Sequence, residues 1–192
     1  MEYHFDQTNV SMVAESSYSF EKEFAKRTLA NLKFIEAEID SRHAQGIEDK
    51  DIHDVFEVTQ LINSFVGMLI LPKEAFYRKM SNNMPFNSNE ANDILRQLSR
   101  NPAKYYSTYT FRNYNGDVVP ERLTPKNLAR HFRNAVAHNH LTILPKDYTG
   151  DGIITGVEFS DNVRGESFSL ELSIDEIRTL LLALCELILS SV

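Results

Sequence analysis

The sequence predicts a mainly α-helical protein: a four-helix up-and-down bundle, with an insertion between the second and third helices and a small β-hairpin between the third and fourth. Two observations predict this class. Four stretches carry apolar residues at helical spacing, and one segment between the third and fourth of them alternates with the two-residue period of strands. Four amphipathic helices of this length close most simply as a bundle.

The first two helices are predicted from their apolar stripes. The first spans about residues 20–42, after a lead-in without sustained periodicity, and the second spans about residues 52–71. Residues 65–71 are apolar all round, so that end is either deeply buried or covered by a partner chain. Pro72 ends the second helix, because the residue before a proline is pushed out of helical geometry.

Residues 73–124 are predicted to be an insertion. The Asn- and Ser-rich residues 82–92 favour a loop, and a short helix follows over about 90–100. An aromatic stretch over residues 105–114 allows two interpretations: its rings stack on nucleic-acid bases, or they pack a small satellite core, which the large apolar area of aromatic rings favours. Residues 115–116, Asn-Gly, are a tight-turn signal.

The third helix has the strongest local start signal. Thr124 is a good N-cap and Pro125 suits the first helical position, so we expect a helix from there to about His138. Residues 141–172 are expected to form the β-hairpin decoration, to which residues 141–144 can add a third strand.

A capping box of Ser173 and Glu176 starts the fourth helix, because the two side chains can satisfy each other's backbone amides. The helix carries Cys185 among leucines, where a free thiol packs as a small hydrophobic group.

Length and composition exclude several classes of protein. A chain of 192 residues fits a single domain over residues 1–192, and one cysteine cannot form an internal disulfide. No apolar run reaches about 18 residues, and the first residues lack the basic and apolar segments of a secretory signal. We therefore expect a cytoplasmic protein that does not enter a membrane.

The charge is distributed unevenly. A net charge of −7 argues against broad coating of nucleic acid. Residues 122–146, however, hold five Lys and Arg, three His and no carboxylate, which leaves about −12 on the rest of the chain by subtraction. This window indicates either a local anion site or a chance cluster on a solvated helix.

The third helix concentrates the candidate functional residues. At about 100° per residue, its apolar residues fall on one arc that faces the core. His131, Asn134 and His138 follow one edge of that arc. Arg133 lies near the other edge, about 140° from His138 by the same spacing. The residues of the apolar arc are Leu128, Ala129, Phe132, Ala135 and Val136.

Three interpretations of these residues compete. In a structural one, Asn134 bonds His138 and Arg133 pairs with a carboxylate elsewhere. In a metal site, His131, His138 and His140 would be ligands, but an i, i+7 spacing separates two of them by about 10 Å along the axis. We therefore expect no metal and no cofactor. In the third, His138 moves a proton near neutral pH while Arg133 binds phosphate oxygens, a pair that suffices for RNA cleavage without a metal.

The segment from Arg133 to His138 resembles the Arg–x4–6–His signature of HEPN domains, including the common Asn directly after the Arg. It also lies at the end of the third of four predicted helices, where HEPN proteins carry it. Residues 62–74 look like the second helix of some HEPN nucleases. The resemblance implies a HEPN-like domain that acts as a homodimer, with a cleft shared by the two motif helices.

What the resemblance implies about function is a metal-independent endoribonuclease, of the toxin–antitoxin or phage-defence type. Its RNA substrate would be cut by attack of a 2′-hydroxyl on the adjacent phosphorus. His138 would transfer protons, Arg133 would stabilise the charged phosphorane, and Asn134 would orient His138 or the phosphate. Weaker candidates for contacts with RNA are Lys126, Arg130, His131 and His140.

His140 stands where some HEPN toxins have a tyrosine, so control by modification of that tyrosine is not expected here. A possible further partner is a cognate antitoxin. The alternative function is a non-catalytic HEPN-like module that binds RNA or a protein, because HEPN domains without nuclease activity also exist.

Overall fold

The computed structural model describes residues 17–45, 59–65, 67–68, 80–81, 83–147 and 154–190. Five sequence predictions lie wholly or partly outside these residues: the lead-in, the loop after the first helix, the second helix with its end at Pro72, the insertion 73–124 and the hairpin decoration 141–172. Among the described residues, no helix has both the length and the apolar composition that crossing a membrane requires.

The prediction of a four-helix bundle with a small hairpin is wrong. The described residues include a four-stranded antiparallel sheet. Its strands are β1 (Tyr105–Ser107), β4 (Leu141–Leu144), β5 (Gly156–Val163) and β6 (Glu166–Ser173), and their order across the sheet is β1-β6-β5-β4. The physical reason is that a lone hairpin leaves backbone groups unpaired along both edges. β4 pairs with β5, and β1, from the predicted insertion, pairs with β6, so both hairpin strands are bonded on both sides.

The helices with defined ends are α1 (Ser17–Ala44), α2 (Asn89–Leu98), α3 (Pro125–Ala137) and α4 (Ile174–Ser190), and residues 59–65 and 67–68 are also helical. The predicted start of α3 is confirmed: the Thr124 side chain accepts a hydrogen bond from the Asn127 amide. The capping box of α4 is confirmed as well, with the Ser173 amide donating to Glu176 at 2.8 Å and the Glu176 amide donating to Ser173 at 3.2 Å.

A separate two-stranded ribbon precedes α3. It consists of β2 (Thr110–Arg112) and β3 (Val118–Pro120), paired antiparallel. The turn between them forms where the sequence predicts it: the Asp117 amide donates to Asn113 Oδ1 at 2.9 Å, and Gly116 has φ +87°, which favours glycine. The ribbon is largely exposed on both strands.

The core lies between the sheet and the helices. α3 packs on β5, α4 packs on β5 and β6, and α1 packs on α4. Phe132 of α3 has its ring centroid 4.3 Å from that of Phe159 on β5 and 5.3 Å from that of Phe65. Because Phe65 and Met68 are buried inside the chain, these two residues of the apolar stretch 65–71 are not available to a partner.

The predicted packing role of the cysteine agrees with its surroundings. Cys185 is fully buried in α4, and burial raises the pKa of its thiol to about 12. The thiolate is the reactive form of cysteine, so this side chain packs and does not react at neutral pH.

Candidate active site

Phe132 sets the rotation of α3 about its own axis. Its ring is buried against β5, so the residues beside it emerge at the two edges of the contact. His131 lies on the side that packs against β6 and is fully buried, whereas Arg133 and Asn134 are half-buried at the edge. The predicted apolar arc is largely confirmed: four of its five residues are buried and Val136 is half-buried.

Asp161 is the centre of a buried polar network beneath α3. On β5 it has the inward phase of Phe159 and lies opposite Phe168 of β6, and it is 1% exposed. Its Oδ2 accepts hydrogen bonds from His131 Nδ1 at 2.8 Å and from Asn134 Nδ2 at 3.0 Å. A buried carboxylate requires such donors, and here a single oxygen atom connects two residues of α3.

His131 is held between rings and carboxylates. Its ring stacks parallel to Phe168, with centroids 4.0 Å apart, and contacts the edge of Tyr109 at 4.6 Å. Its Nε2 lies 2.6 Å from Glu121 Oε2, so both ring nitrogens face carboxylate oxygens. With no exposed surface, His131 is placed to support the site from inside, not to contact RNA.

The outer end of the network is an ion pair. Glu121 accepts hydrogen bonds from both Arg130 and His131, and the Arg130 guanidinium lies 5.2 Å from the ring centroid of Tyr109. Burial, and then the nearby charge of Asp161, raise the pKa of the Tyr109 hydroxyl to about 12. The network therefore extends from the surface at Arg130 to the interior at Asp161.

The network fixes the orientation of Asn134. Because its Nδ2 donates to Asp161, its Oδ1 faces outward and accepts a hydrogen bond from Arg133 Nη2 at 3.3 Å. Within the described part of the chain, Arg133 forms no ion pair, so its remaining donors are not neutralised by a carboxylate there. The structural interpretation of the sequence, an Asn134–His138 bond with Arg133 paired to a carboxylate, does not describe these contacts.

His138 lies beyond the last turn of α3 and is exposed. The helix ends in a Schellman motif: the His140 amide donates to the Ala135 carbonyl at 2.7 Å, and the Asn139 amide donates to the Val136 carbonyl at 3.2 Å. Asn139 takes the left-handed conformation, φ 54°, that this motif needs. The His140 carbonyl then accepts from the Ser160 amide of β5 at 3.0 Å, which attaches the turn to the sheet.

The structure thus brings the predicted site residues together in two groups. Arg133 and Asn134 are in contact, and the rings of His138 and His140 lie 5.9 Å apart, centroid to centroid. Within the described residues, the bonds between the two groups are backbone bonds, such as the His138 amide to the Asn134 carbonyl at 3.0 Å.

Three of the basic residues predicted to belong to the site lie in a stripe on α3. Lys126, Arg130 and Arg133 are spaced i, i+4 and i+7, which places them on one face. They line an open cleft of ≈ 1310 Å³, whose other side is formed by the β2–β3 ribbon and includes Arg112. Lys146 does not belong to this surface, because it pairs with Glu158 and Glu171 on the other face of the sheet. The basic window 122–146 is therefore two separate surfaces.

Sequence reasoning missed Glu121 and Asp161. Asp161 had a usable signal: it continues the inward phase of Val157 and Phe159, so a buried charge facing the third helix was predictable. Glu121 had none, because only the folded path of the ribbon brings its carboxylate to His131.

The Arg133–x4–His138 segment, at the end of a helix packed into the core, resembles the signature of HEPN-type proteins. Comparison with known families shows which HEPN family the chain matches. The family described as HEPN pEK499 p136 matches residues 7–192, and the chain therefore belongs to that family. No curated protein and no solved structure gives a significant match.

Proposed function

We propose that this protein is a metal-independent endoribonuclease whose active site is formed by Arg133, Asn134 and His138. The proposal rests mainly on the hydrogen bonding and charge of Arg133. Asn134, which is fixed by Asp161, accepts a hydrogen bond from one N–H group of Arg133, and no carboxylate of the described residues neutralises the guanidinium. A guanidinium held in this way presents several N–H groups to an anion, and its fork matches two phosphate oxygens.

The chemistry follows from these two residue types. His138 removes a proton from the 2′-hydroxyl of RNA, and the oxygen attacks the adjacent phosphorus. The bond between phosphorus and the 5′-oxygen breaks, water donates a proton to that oxygen, and the products carry a 2′,3′-cyclic phosphate and a 5′-hydroxyl. Arg133 stabilises the extra negative charge on the phosphorane oxygens, and neither step requires a metal ion.

A homodimer would complete the site. Arg133 and His138 point about 140° apart around the helix axis, so one α3 does not direct both at one phosphate. If two copies pack across a two-fold axis, Arg133 of one chain faces His138 of the other, and two-fold contacts are the commonest form of assembly. We place this activity in a toxin or phage-defence setting, where an antitoxin restrains it.

The test is cleavage of total RNA by the purified protein in excess EDTA. Arg133→Ala and His138→Ala should each lower the rate by about 10²–10⁴-fold. Arg96→Ala, an exposed arginine on α2, is the matched control and should cut at the wild-type rate. Product ends that lack the cyclic phosphate would contradict the mechanism, and so would activity that EDTA abolishes and one added metal restores.

The alternative is a module that binds RNA without cutting it. The separation of His138 from Arg133 within one protomer favours this alternative, because an incomplete site can bind phosphate without catalysis. Binding that requires Arg133, with no cleavage by the wild-type protein under any of these conditions, would select it.

A further inference from the structure

We propose that the cleft between the β2–β3 ribbon and α3 is a binding site for single-stranded RNA, with bases stacked on the ribbon and phosphates on the helix. We call this cleft the ribbon cleft; it is lined by Arg112, Tyr114, Arg122, Lys126, Arg130 and Arg133, among others. The inference deepens the proposed function, since it names how the substrate is held beside Arg133, and it rests on that function for the identity of the ligand.

The charge of the ribbon cleft fits a polyanion. Five cations line it, against one carboxylate, Glu121. That carboxylate is only 7% exposed and is already engaged by Arg130 and His131. Arg122, like Arg133, forms no ion pair within the described residues. A site with this balance attracts phosphates and gives a peptide no acidic partner for its own cations.

The aromatic rings of the ribbon can stack on bases, which phosphate binding alone does not provide. Tyr114, near the tip, has a relative exposure of 106%, and Phe111 is 40% exposed. Both lie on the ribbon, whereas Tyr109 at its base is buried. Exposed rings beside a cationic groove are the arrangement by which proteins bind single strands, because every unpaired base has a face to stack. A duplex hides those faces, so the cleft favours unpaired RNA.

The same cleft leads to the proposed reaction site. Lys126, Arg130 and Arg133 form a stripe about 10 Å long, at 1.5 Å rise per residue. Arg112 faces this stripe from the ribbon, with one of its N–H groups held by the Gly116 carbonyl at 2.8 Å. A strand whose bases stack on the ribbon and whose phosphates follow the stripe therefore passes Arg133.

The experiment measures binding apart from cleavage. In a His138→Ala background, a short fluorescent single-stranded RNA is titrated against Tyr114→Ala, Arg112→Ala and Tyr106→Ala. Tyr106 is the matched control, because it is 56% exposed on β1 but does not line the cleft. We expect Tyr114→Ala to weaken binding by roughly 10-fold or more. Arg112→Ala should weaken it and lower the salt slope by about 1, and Tyr106→Ala should change nothing. Tyr114→Phe should keep the affinity.

Three outcomes would overturn the inference: unchanged affinity in Tyr114→Ala, equal dependence on Tyr114 with a duplex of the same sequence, or stronger competition by polyglutamate than by RNA. The last would indicate an acidic protein partner. Failure of the nuclease proposal has a different signature, since the wild-type protein would then bind single-stranded RNA through Tyr114 without cutting it. If instead the wild type cuts RNA and the Tyr114→Ala variant binds RNA as tightly as the protein that keeps Tyr114, only the proposal for the ribbon cleft fails.

Discussion

The two ends of the Arg133–His138 segment are built differently. At one end, Asn134 is fixed by a fully buried carboxylate, Asp161, and in turn contacts Arg133. At the other end, His138 is exposed, and the contacts that hold its turn are backbone bonds of the Schellman motif around Asn139. One end is ordered through side chains from inside the protein, and the other is presented outward on a fixed turn.

If the site is divided between two chains, as proposed, this difference shows how each half of it is prepared. The group that stabilises charge benefits most from being oriented before the substrate arrives, because its hydrogen bonds then need no reorganisation. In such a dimer, the group that reaches a phosphate bound by the other chain has to project from the surface. The Asp161 network and the exposed His138 fit these two requirements.

The largest expected effect is complementation between the two ends. Arg133→Ala and His138→Ala are each expected to be inactive, but mixing equal amounts under exchange conditions should restore cleavage to about one quarter of the wild-type rate. Half of the random dimers are mixed, and each mixed dimer has one complete site of two. Mixtures that stay inactive after verified exchange would contradict an active site shared by two chains. Full activity in a species that sediments as a 22.0 kDa monomer would contradict it as well.

The next effect concerns the buried end. Asp161→Ala removes the acceptor of both His131 and Asn134, and breaking a buried charged network of this kind costs about 3–5 kcal/mol. The exposed neighbour on the same strand supplies the control, Asn162→Ala, which should stay within about 0.5 kcal/mol. Denaturant unfolding measures both. Equal midpoints for the two variants would mean that Asp161 does not hold the site.

What the sequence predicted well was local. The starts of α3 and α4 depend on residues within three positions of each other, Thr124 with Asn127 and Ser173 with Glu176, so short-range rules suffice. The apolar face of α3 was predictable for the same reason, because helical periodicity is carried by the residues of the helix itself.

What failed was long-range. Tyr105 of β1 pairs with Leu170 of β6, and no local pattern records which edge a short strand will join. The inward position of Asp161 was predictable from the alternation along its strand, but its donor was not, because His131 lies 30 positions away. The wheel of the third helix placed His131 beside Asn134 correctly, but it did not show that β6 would cover the ring.

At the outward end, Asn139 is the residue to change. Its left-handed conformation disfavours residues with a β-carbon other than Asn or Asp, so Asn139→Ala should destabilise the protein by about 1 kcal/mol. Asn139→Gly, the matched variant, should be neutral or slightly stabilising. Thermal unfolding compares them. If the two variants melt at the same temperature, the turn does not depend on this conformation, and His138 is less firmly placed than the backbone bonds imply.

The smallest effect at neutral pH is expected from Tyr109→Phe, at the buried end. Burial and the charge of Asp161 raise the folded pKa of Tyr109 to about 12, whereas an unfolded tyrosine titrates near 10. The folded state therefore holds this proton more tightly, so the stabilisation is complete below about pH 10 and is lost as the pH rises through about 12. Tyr109→Phe should unfold less steeply over that range. In the wild type, Tyr109 should contribute to the late rise in phenolate absorbance, and the variant should lose that contribution, whereas Tyr105, whose pKa burial also raises, ionises late in both proteins. A variant whose late rise keeps the full wild-type amplitude, or whose alkaline unfolding parallels the wild type, would show that Tyr109 does not sense Asp161.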